Sequence, residues 1–270
     1  MTYTNNDHTF VVCAYKESKF LEDCIVSLKT QSLSSNILLC TSTPNTYIQS
    51  IADKYNITVC VNEEGVQNGS DIAKDWNFAL SKVTTPLATI AHQDDVYKKD
   101  YSKIILEAFN GCKHPLIAFT DYSEIKNGLE VKENKLLKVK RILLSPLKNK
   151  KHWNSIFLRR RCLSFGNPIC CPAVTYCLTN LKQPIFKSGF KSDLDWEAWE
   201  ALSKLTGEFA YVPQIGMSHR IHEESTTTAV IEGESGRSKE DYAMFCKFWP
   251  KWVSNCIEHF YKESEKQNGE

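Results

Sequence analysis

The first 120 residues alternate short β-branched apolar runs with amphipathic helical patterns, and few folds accommodate that rhythm. Thr9 to Ala14, Asn36 to Cys40, Ile57 to Val61, Leu87 to Ala91 and Leu116 to Thr120 have the length and composition of buried strands. Leu21, Cys24, Ile25 and Leu28 recur at helical spacing behind Ser18, the expected N-cap, and Ile48, Ile51, Ala52 and Tyr55 do so after Pro44. Ile72, Ala73, Trp76, Ala79, Leu80 and Val83 form a third set that stops before Pro86, and Tyr101, Ile104, Ile105 and Ala108 a fourth. Strand, helix, strand in this order predicts an α/β fold with a mostly parallel sheet and helices on both faces.

Ligands of such sheets bind outside the carboxyl ends of the strands, where loops present side chains without interrupting the core. The strand ends here carry Tyr15-Lys16-Glu17-Ser18, Thr41-Ser42-Thr43, His92-Gln93-Asp94-Asp95 and Asp121-Tyr122. Two adjacent carboxylates with a histidine two residues upstream suit a hard divalent cation, because oxygen ligands favour Mg2+ or Mn2+. The same pair would also serve as a plain turn or a helix cap.

Beyond Lys126 the pattern changes. Residues 132–161 hold eleven Lys or Arg against the single acid Glu133. The whole chain carries a net charge of only +1, and the basic stretch lacks regularly interleaved aromatics, so nucleic acid is not an expected partner. The segment is instead either a solvated insertion or a peripheral contact for an anionic membrane. A strand from Ala173 to Leu178, a helix from Asp195 to Leu205, a polar run from His219 to Thr228 and a helical end broken at Pro250 complete the pattern.

The amino end has neither a basic start nor a long apolar core, and no stretch approaches eighteen apolar residues, so no secretory signal or membrane span is expected. The eleven cysteines form no Cys-x-x-Cys knuckle and read as reduced thiols of a cytoplasmic protein.

Six segments occur in a recognisable order: Phe10-Val-Val-Cys-Ala-Tyr-Lys-Glu-Ser, Asp75-Trp-Asn-Phe-Ala-Leu, Thr89-Ile-Ala-His-Gln-Asp-Asp-Val-Tyr, Cys171-Pro-Ala-Val, Asp195-Trp-Glu-Ala-Trp and His219-Arg-Ile-His-Glu-Glu-Ser-Thr-Thr. With them the chain resembles the family 2 glycosyltransferases of GT-A fold. The resemblance implies inverting transfer of a sugar from a nucleotide-diphosphate-sugar, a UDP-sugar favoured, to a hydroxyl of a glycan or lipid-linked acceptor. Surface polysaccharide or glycan assembly, in the cytoplasm or at the inner membrane face, would be the setting. Residues 1–125 would bind the nucleotide-sugar, residues 126–230 would supply the acceptor side and the catalytic base, and residues 231–270 a helical end.

Carried over by position, the resemblance makes Asp195 the general base and Asp94, with His222, a ligand of Mn2+ or Mg2+. The donor would meet Ala14, Tyr15, Glu17, Thr41, Asn77, His92, Asp94, Asp95, Arg220 and His222, and Asp121 would lie on the acceptor side. Asn77 would reach the donor or else cap a buried backbone group, while Trp76, Trp196 and Trp199 read as packing residues. The chain also departs from the family pattern. His92 replaces the leading acid of Asp-x-Asp, Thr41-Ser42 replaces an acid that pairs with the base, and Leu194 replaces a Glu, which leaves Asp195 or Asp193 as the base. These departures define an alternative, a catalytically impaired nucleotide-sugar-binding protein of the same fold. A phosphohydrolase using Asp94 and Asp95 ranks last, because Tyr15 and Lys16 stand where its nucleophilic aspartate belongs.

Overall fold

All five apolar runs of the first half become strands in the computed structural model, which describes residues 2–187, 189–222 and 234–266. They are β1 (His8–Ala14), β2 (Asn36–Thr41), β3 (Thr58–Val61), β4 (Leu87–His92) and β6 (Pro115–Lys126). The short β5 (Val96–Tyr97) and β7 (Leu129–Val131), then β8 (Val174–Cys177) and the long β9 (Glu208–Ile221), complete one nine-stranded sheet. Its order is β3-β2-β1-β4-β8-β6-β9-β5, with β7 beside β6. Strands β1 to β4, β6 and β9 share one direction, and β5, β7 and β8 run against them. Successive residues of β1 and β4 are buried, the signature of strands covered on both faces.

The helices follow the sequence pattern: α1 (Leu21–Lys29), α2 (Thr46–Lys54), α3 (Glu63–Asn68), α4 (Ile72–Ser81) and α5 (Tyr101–Asn110). Helix α4 packs on β1, β2 and β4, α1 on β1 and β5, and α5 on β6 and β9. Asn45 and Asp71 cap α2 and α4 by accepting from Ile48 N–H and Lys74 N–H. Ser18 does not cap α1. Phe20 holds that position, and the Ser18 hydroxyl accepts from Phe20 N–H at 3.3 Å in the turn before it.

In the second half, α6 (Lys135–Leu143), α7 (Ile156–Leu163) and α8 (Leu194–Leu202) precede α9 (Glu234–Phe245) and α10 (Lys251–Lys266), which flank the expected break at Pro250. The polar run from His219 was expected as loop, yet residues 219–221 end β9, held in register by Glu124, Ile125 and Lys126 of β6. That ladder slips on either side of Asp121. Near the slip Gly216 meets Thr120 so closely that a Cβ would lie 2.5 Å from the threonine hydroxyl, which is why no side chain fits there. Trp196 and Trp199 are buried core residues, as expected, and Trp196 packs edge-on against Phe245 of α9. All eleven cysteines are free thiols, and among the described residues no helix is long and apolar enough to cross a membrane.

Candidate functional site

Strand β1 leads to β2 on one side while β4 pairs on its other side, so the loops after β1 and β4 part and leave a crevice at the switch point. Gln93 ties the two loops together. Its side-chain oxygen accepts from Tyr15 N–H and its amide donates to Tyr15 C=O, both at 3.0 Å. Lys16 adopts a positive φ of 54° while its N–H donates to the Thr43 hydroxyl, which turns the chain outward. Tyr15 is left 45% exposed and Glu17 is exposed, both at the mouth of the crevice; Ala14 is buried beneath them.

Asp94 and Asp95, just past β4, face the end of β9. Asp95 is fully buried and its Oδ1 accepts from Arg220 N–H at 2.9 Å and lies 3.0 Å from His219 Nδ1. Burial alone would strip the proton from His219, but the adjacent Asp95 carboxylate, aided by Asp94, holds its pKa up at about 9. His219 is therefore a cation at neutral pH. His222 Nε2 lies 2.9 Å from Asp94 Oδ2, and the Arg220 guanidinium donates to Asp94 C=O while resting 4.2 Å from the Phe20 ring centroid. Sequence reasoning gave no role to His219, because a histidine on a strand read as loop has no visible partner.

His92 ends β4, stacked on Trp76 at 5.1 Å, so Trp76 orients a site residue as well as packing. Burial lowers the pKa of His92 against the opposing pull of Asp95 and Asp94, leaving a neutral imidazole able to ligate a metal. One ligand atom from each of His92, Asp94 and Asp95 falls within 4.8 Å of the others. His92 Nε2 and Asp95 Oδ2 are buried and have no hydrogen-bond partner among the described residues. An unsatisfied imidazole nitrogen and an unsatisfied carboxylate oxygen beside the second carboxylate, Asp94, fit a divalent cation, since buried polar groups otherwise find partners.

Asp195 stands in the first turn of α8, where its carboxylate accepts from Asn167 at 2.9 Å and from Trp196 N–H at 2.7 Å. Dense surroundings raise its pKa, against the two hydrogen bonds and the nearby Lys140 ammonium. Asp193, the other base candidate, is buried.

Other expected site residues make bonds within the protein. Asn77 takes the backbone role: it accepts from the N–H groups of Ile185 and Phe186 and donates to Phe186 C=O, fixing the loop that carries Phe186 against Trp76. The Thr41 hydroxyl accepts from Thr43 N–H, and Ser42 donates to Asp75, which also receives Asn62 and Ser70. Asp75 thus organises the loops after β2 and β3, a role the sequence did not reveal. Asp121 is nearly buried and engages Arg141 of α6 at 2.6 Å and Tyr122 N–H, so it anchors α6. Of the segment His219 to Thr228, residues 223–228 lie outside the described residues.

A family model described as glycosyl transferase family 2 matches residues 9–175, a span that includes Asp94-Asp95 and ends before Asp195 and His219. No curated protein matches the sequence. Among solved structures, the chain is similar to S. aureus TarS 1-349 in complex with UDP-GlcNAc, with a TM-score of 0.61 at 15% identity over 93% of this chain and 70% of that one. A mannosyltransferase from Pyrobaculum calidifontis in complex with GDP-Man and Mn2+ gives a TM-score of 0.61 at 14% identity, covering 96% of this chain and 71% of that chain. Glucosyl-3-phosphoglycerate synthase from Mycobacterium tuberculosis, in complex with Mn2+, uridine-diphosphate and glucosyl-3-phosphoglycerate, gives 0.57 at 12% identity over 90% of this chain and 80% of that chain. At such identities the likeness is one of fold, and it bears out the GT-A architecture.

Proposed function

The chain belongs to glycosyl transferase family 2, and we propose that it moves a sugar, with inversion, from a nucleotide-diphosphate-sugar to an acceptor hydroxyl. One observation carries this reading. The strand-end cluster His92, Asp94 and Asp95 presents unsatisfied ligand atoms at the switch-point crevice, backed by a cationic His219 and with Asp195 near enough that its carboxylate and the His92 ring influence one another's protonation. Residues 1–125 supply the nucleotide-sugar side of this crevice, and residues 126–230 the acceptor side, the base and its supports.

An alcohol is a poor nucleophile at neutral pH, and a carboxylate that takes its proton during attack lowers the barrier. Asp195 is the group for that task, because its crowded surroundings raise its proton affinity while Asn167 and Trp196 N–H fix its direction. His92, Asp94 and Asp95, with His222 beside Asp94, would hold Mn2+ or Mg2+, which when bound neutralises charge developing on the leaving diphosphate. His219 and Arg220 keep Asp94-Asp95 in place by gripping Asp95 and the Asp94 carbonyl. Tyr15 at the mouth offers a ring face for a base.

TarS and the glucosyl-3-phosphoglycerate synthase are each bound to a uridine compound, so UDP-sugars are the first donors to test. A thermal-shift screen of nucleotide-sugars with and without Mn2+ should raise the midpoint only with the right donor and metal. Asp195→Asn should keep that shift and lose transfer by about 10²- to 10⁴-fold, the usual worth of a general base. Asp94→Asn should lose the metal-dependent shift. Donor binding by the parent chain without transfer or hydrolysis across many acceptors would favour the binding-only alternative, and no shift with any donor would remove the reading.

A further inference from the structure

Helix α6 turns Lys140 and Arg141 inward and a row of aliphatic side chains outward. On the inner side Arg141 donates to Asp121, Lys140 Nζ donates to the Tyr122 hydroxyl at 2.9 Å, and Leu137 is buried. On the outer side Leu136, Val139 and Ile142 are 43%, 46% and 68% exposed. Their three-residue spacing places them along one flank of the helix. Lys132, Lys135 and Lys138 are exposed around this stripe. Asn134 caps the helix while also donating to Glu124 of β6, so the stripe is held on a rigid support.

Three exposed aliphatic residues ringed by lysines are costly in water, and they match what an interfacial helix offers to lipid: apolar groups for the acyl boundary and cations for anionic headgroups. Charge complementarity selects the occupant, because the exposed Lys132, Lys135 and Lys138 around the stripe outnumber its single acid Glu133, which pairs with Lys138 at 3.0 Å. We propose that the outer face of α6 docks the protein on an anionic membrane surface. The opposite side of the same helix faces the chemistry, since Lys140 lies close enough for its charge to be felt by Asp195 and His219. Docking therefore holds the Asp195 side of the crevice near the lipid plane, which suits an acceptor hydroxyl carried on a lipid-linked glycan. That consequence for the acceptor rests on the transferase reading; the docking itself does not.

The test is co-sedimentation of the full chain with vesicles of phosphatidylcholine alone or mixed with phosphatidylglycerol, without donor or metal, so that failure of docking is separable from failure of catalysis. Binding should require phosphatidylglycerol and weaken with salt. The triple substitution Leu136→Ser, Val139→Ser and Ile142→Ser should reduce the partition coefficient ~10-fold or more, as lost acyl insertion implies. Lys132→Gln and Lys135→Gln should each reduce it about fivefold. Far-ultraviolet circular dichroism and the donor-induced thermal shift should be unchanged in these variants, because every substituted side chain is exposed. Binding that ignores phosphatidylglycerol, or that survives the triple substitution, overturns the proposal. So does self-association in light scattering that the triple substitution abolishes, which would make the stripe an interface between copies of this chain.

Discussion

The two halves of the sheet handle charge in opposite ways. Before β5 the buried ionisable side chains, thiols apart, are His8 and Asp95, and the other charges sit on loops and exposed helix faces. From β6 onward Asp121, Glu124, Arg159, Asp193, Glu200 and Asp241 are all buried. Several of these engage partners well removed along the chain: Asp121 with Arg141, Glu200 with Arg160, and Arg159 with the carbonyls of Ser203, Leu205 and Gly207. A regular parallel sheet covered by helices can close over aliphatic residues alone and leave its strand ends to ligands. The second half mixes the long β6 and β9 with the short β7 and β8, and it uses buried polar anchors to fix loops that apolar packing does not define. The difference teaches that the first half concentrates its buried charge at a strand end, where Asp95 lies, whereas many buried charges of the second half are architectural.

Arg159 should break this comparison most visibly. Its guanidinium is fully buried, three of its nitrogens satisfy carbonyls in residues 203–207, and burial has pulled its pKa down to about 10. Arg159→Met keeps the volume but strands those carbonyls, and should cost about 4 kcal/mol in urea denaturation at neutral pH. Arg159→Lys should recover little, because one ammonium does not reproduce a planar fork. The donor-half counterpart is the exposed pair Lys54 and Glu22, at 2.5 Å, where Lys54→Ala should leave the midpoint unchanged. A large loss there, or a small one at Arg159, would erase the distinction.

The same contrast governs what the sequence revealed. Strands β1 to β4 and β6 were visible because each is written as a short β-branched apolar run, while the two-residue β5 was not, and Asp94-Asp95 stood out because a polar break follows such a run. Asp195 came from family resemblance, not from periodicity, since one aspartate at the start of an amphipathic helix looks like any first-turn acid. His219 was missed because its partner Asp95 lies 124 positions away, and because the slipped ladder around Asp121 leaves β9 without clean alternation. Asn77 and Thr41 were credited to the donor because a polar residue near a strand end reads alike whether it meets a ligand or a backbone group. In the structure both bond to backbone N–H groups of neighbouring loops. The inverted amphipathicity of α6 was hidden for a similar reason: lysines in sequence read as solvated until Tyr122 and Asp121 are seen beneath Lys140 and Arg141.

His8 supplies the donor half's own exception, and a pH test of intermediate size. It lies at the start of β1, fully buried between the hydroxyls of Ser35 and Thr89, and burial lowers its pKa from 6.5 to about 3. Between those values the unfolded chain binds a proton that the folded chain refuses. The stability tied to this group is therefore complete above pH 6.5 and is lost as pH falls toward 3, by about 1.4 kcal/mol per pH unit. From pH 6.5 to pH 5 the loss should be about 2 kcal/mol, read as a steeper pH profile of unfolding free energy than that of His8→Asn. Parallel profiles for the two proteins would show that His8 titrates normally and would remove its burial as a source of acid sensitivity.

The smallest expected effect on stability tests whether acceptor-half charges also serve the chemistry. Glu240 of α9 accepts from the N–H groups of Lys191, Ser192 and Asp193 and from the Ser192 hydroxyl, and these bonds lower its pKa although burial opposes them. The carboxylate thereby grips the chain just before α8, whose first turn carries Asp195. Glu240→Gln keeps an acceptor but sets an amide group against one of the N–H donors. Because Glu240 is partly in water, the loss of stability should be only about 1 kcal/mol. Turnover should fall further than stability predicts, with the donor KM unchanged, because a base that is slightly displaced loses rate before it loses binding. A fall in donor affinity instead would move Glu240 into the support of the donor crevice. Unchanged kcat would mean that α8 holds Asp195 through Asn167 and its own backbone alone.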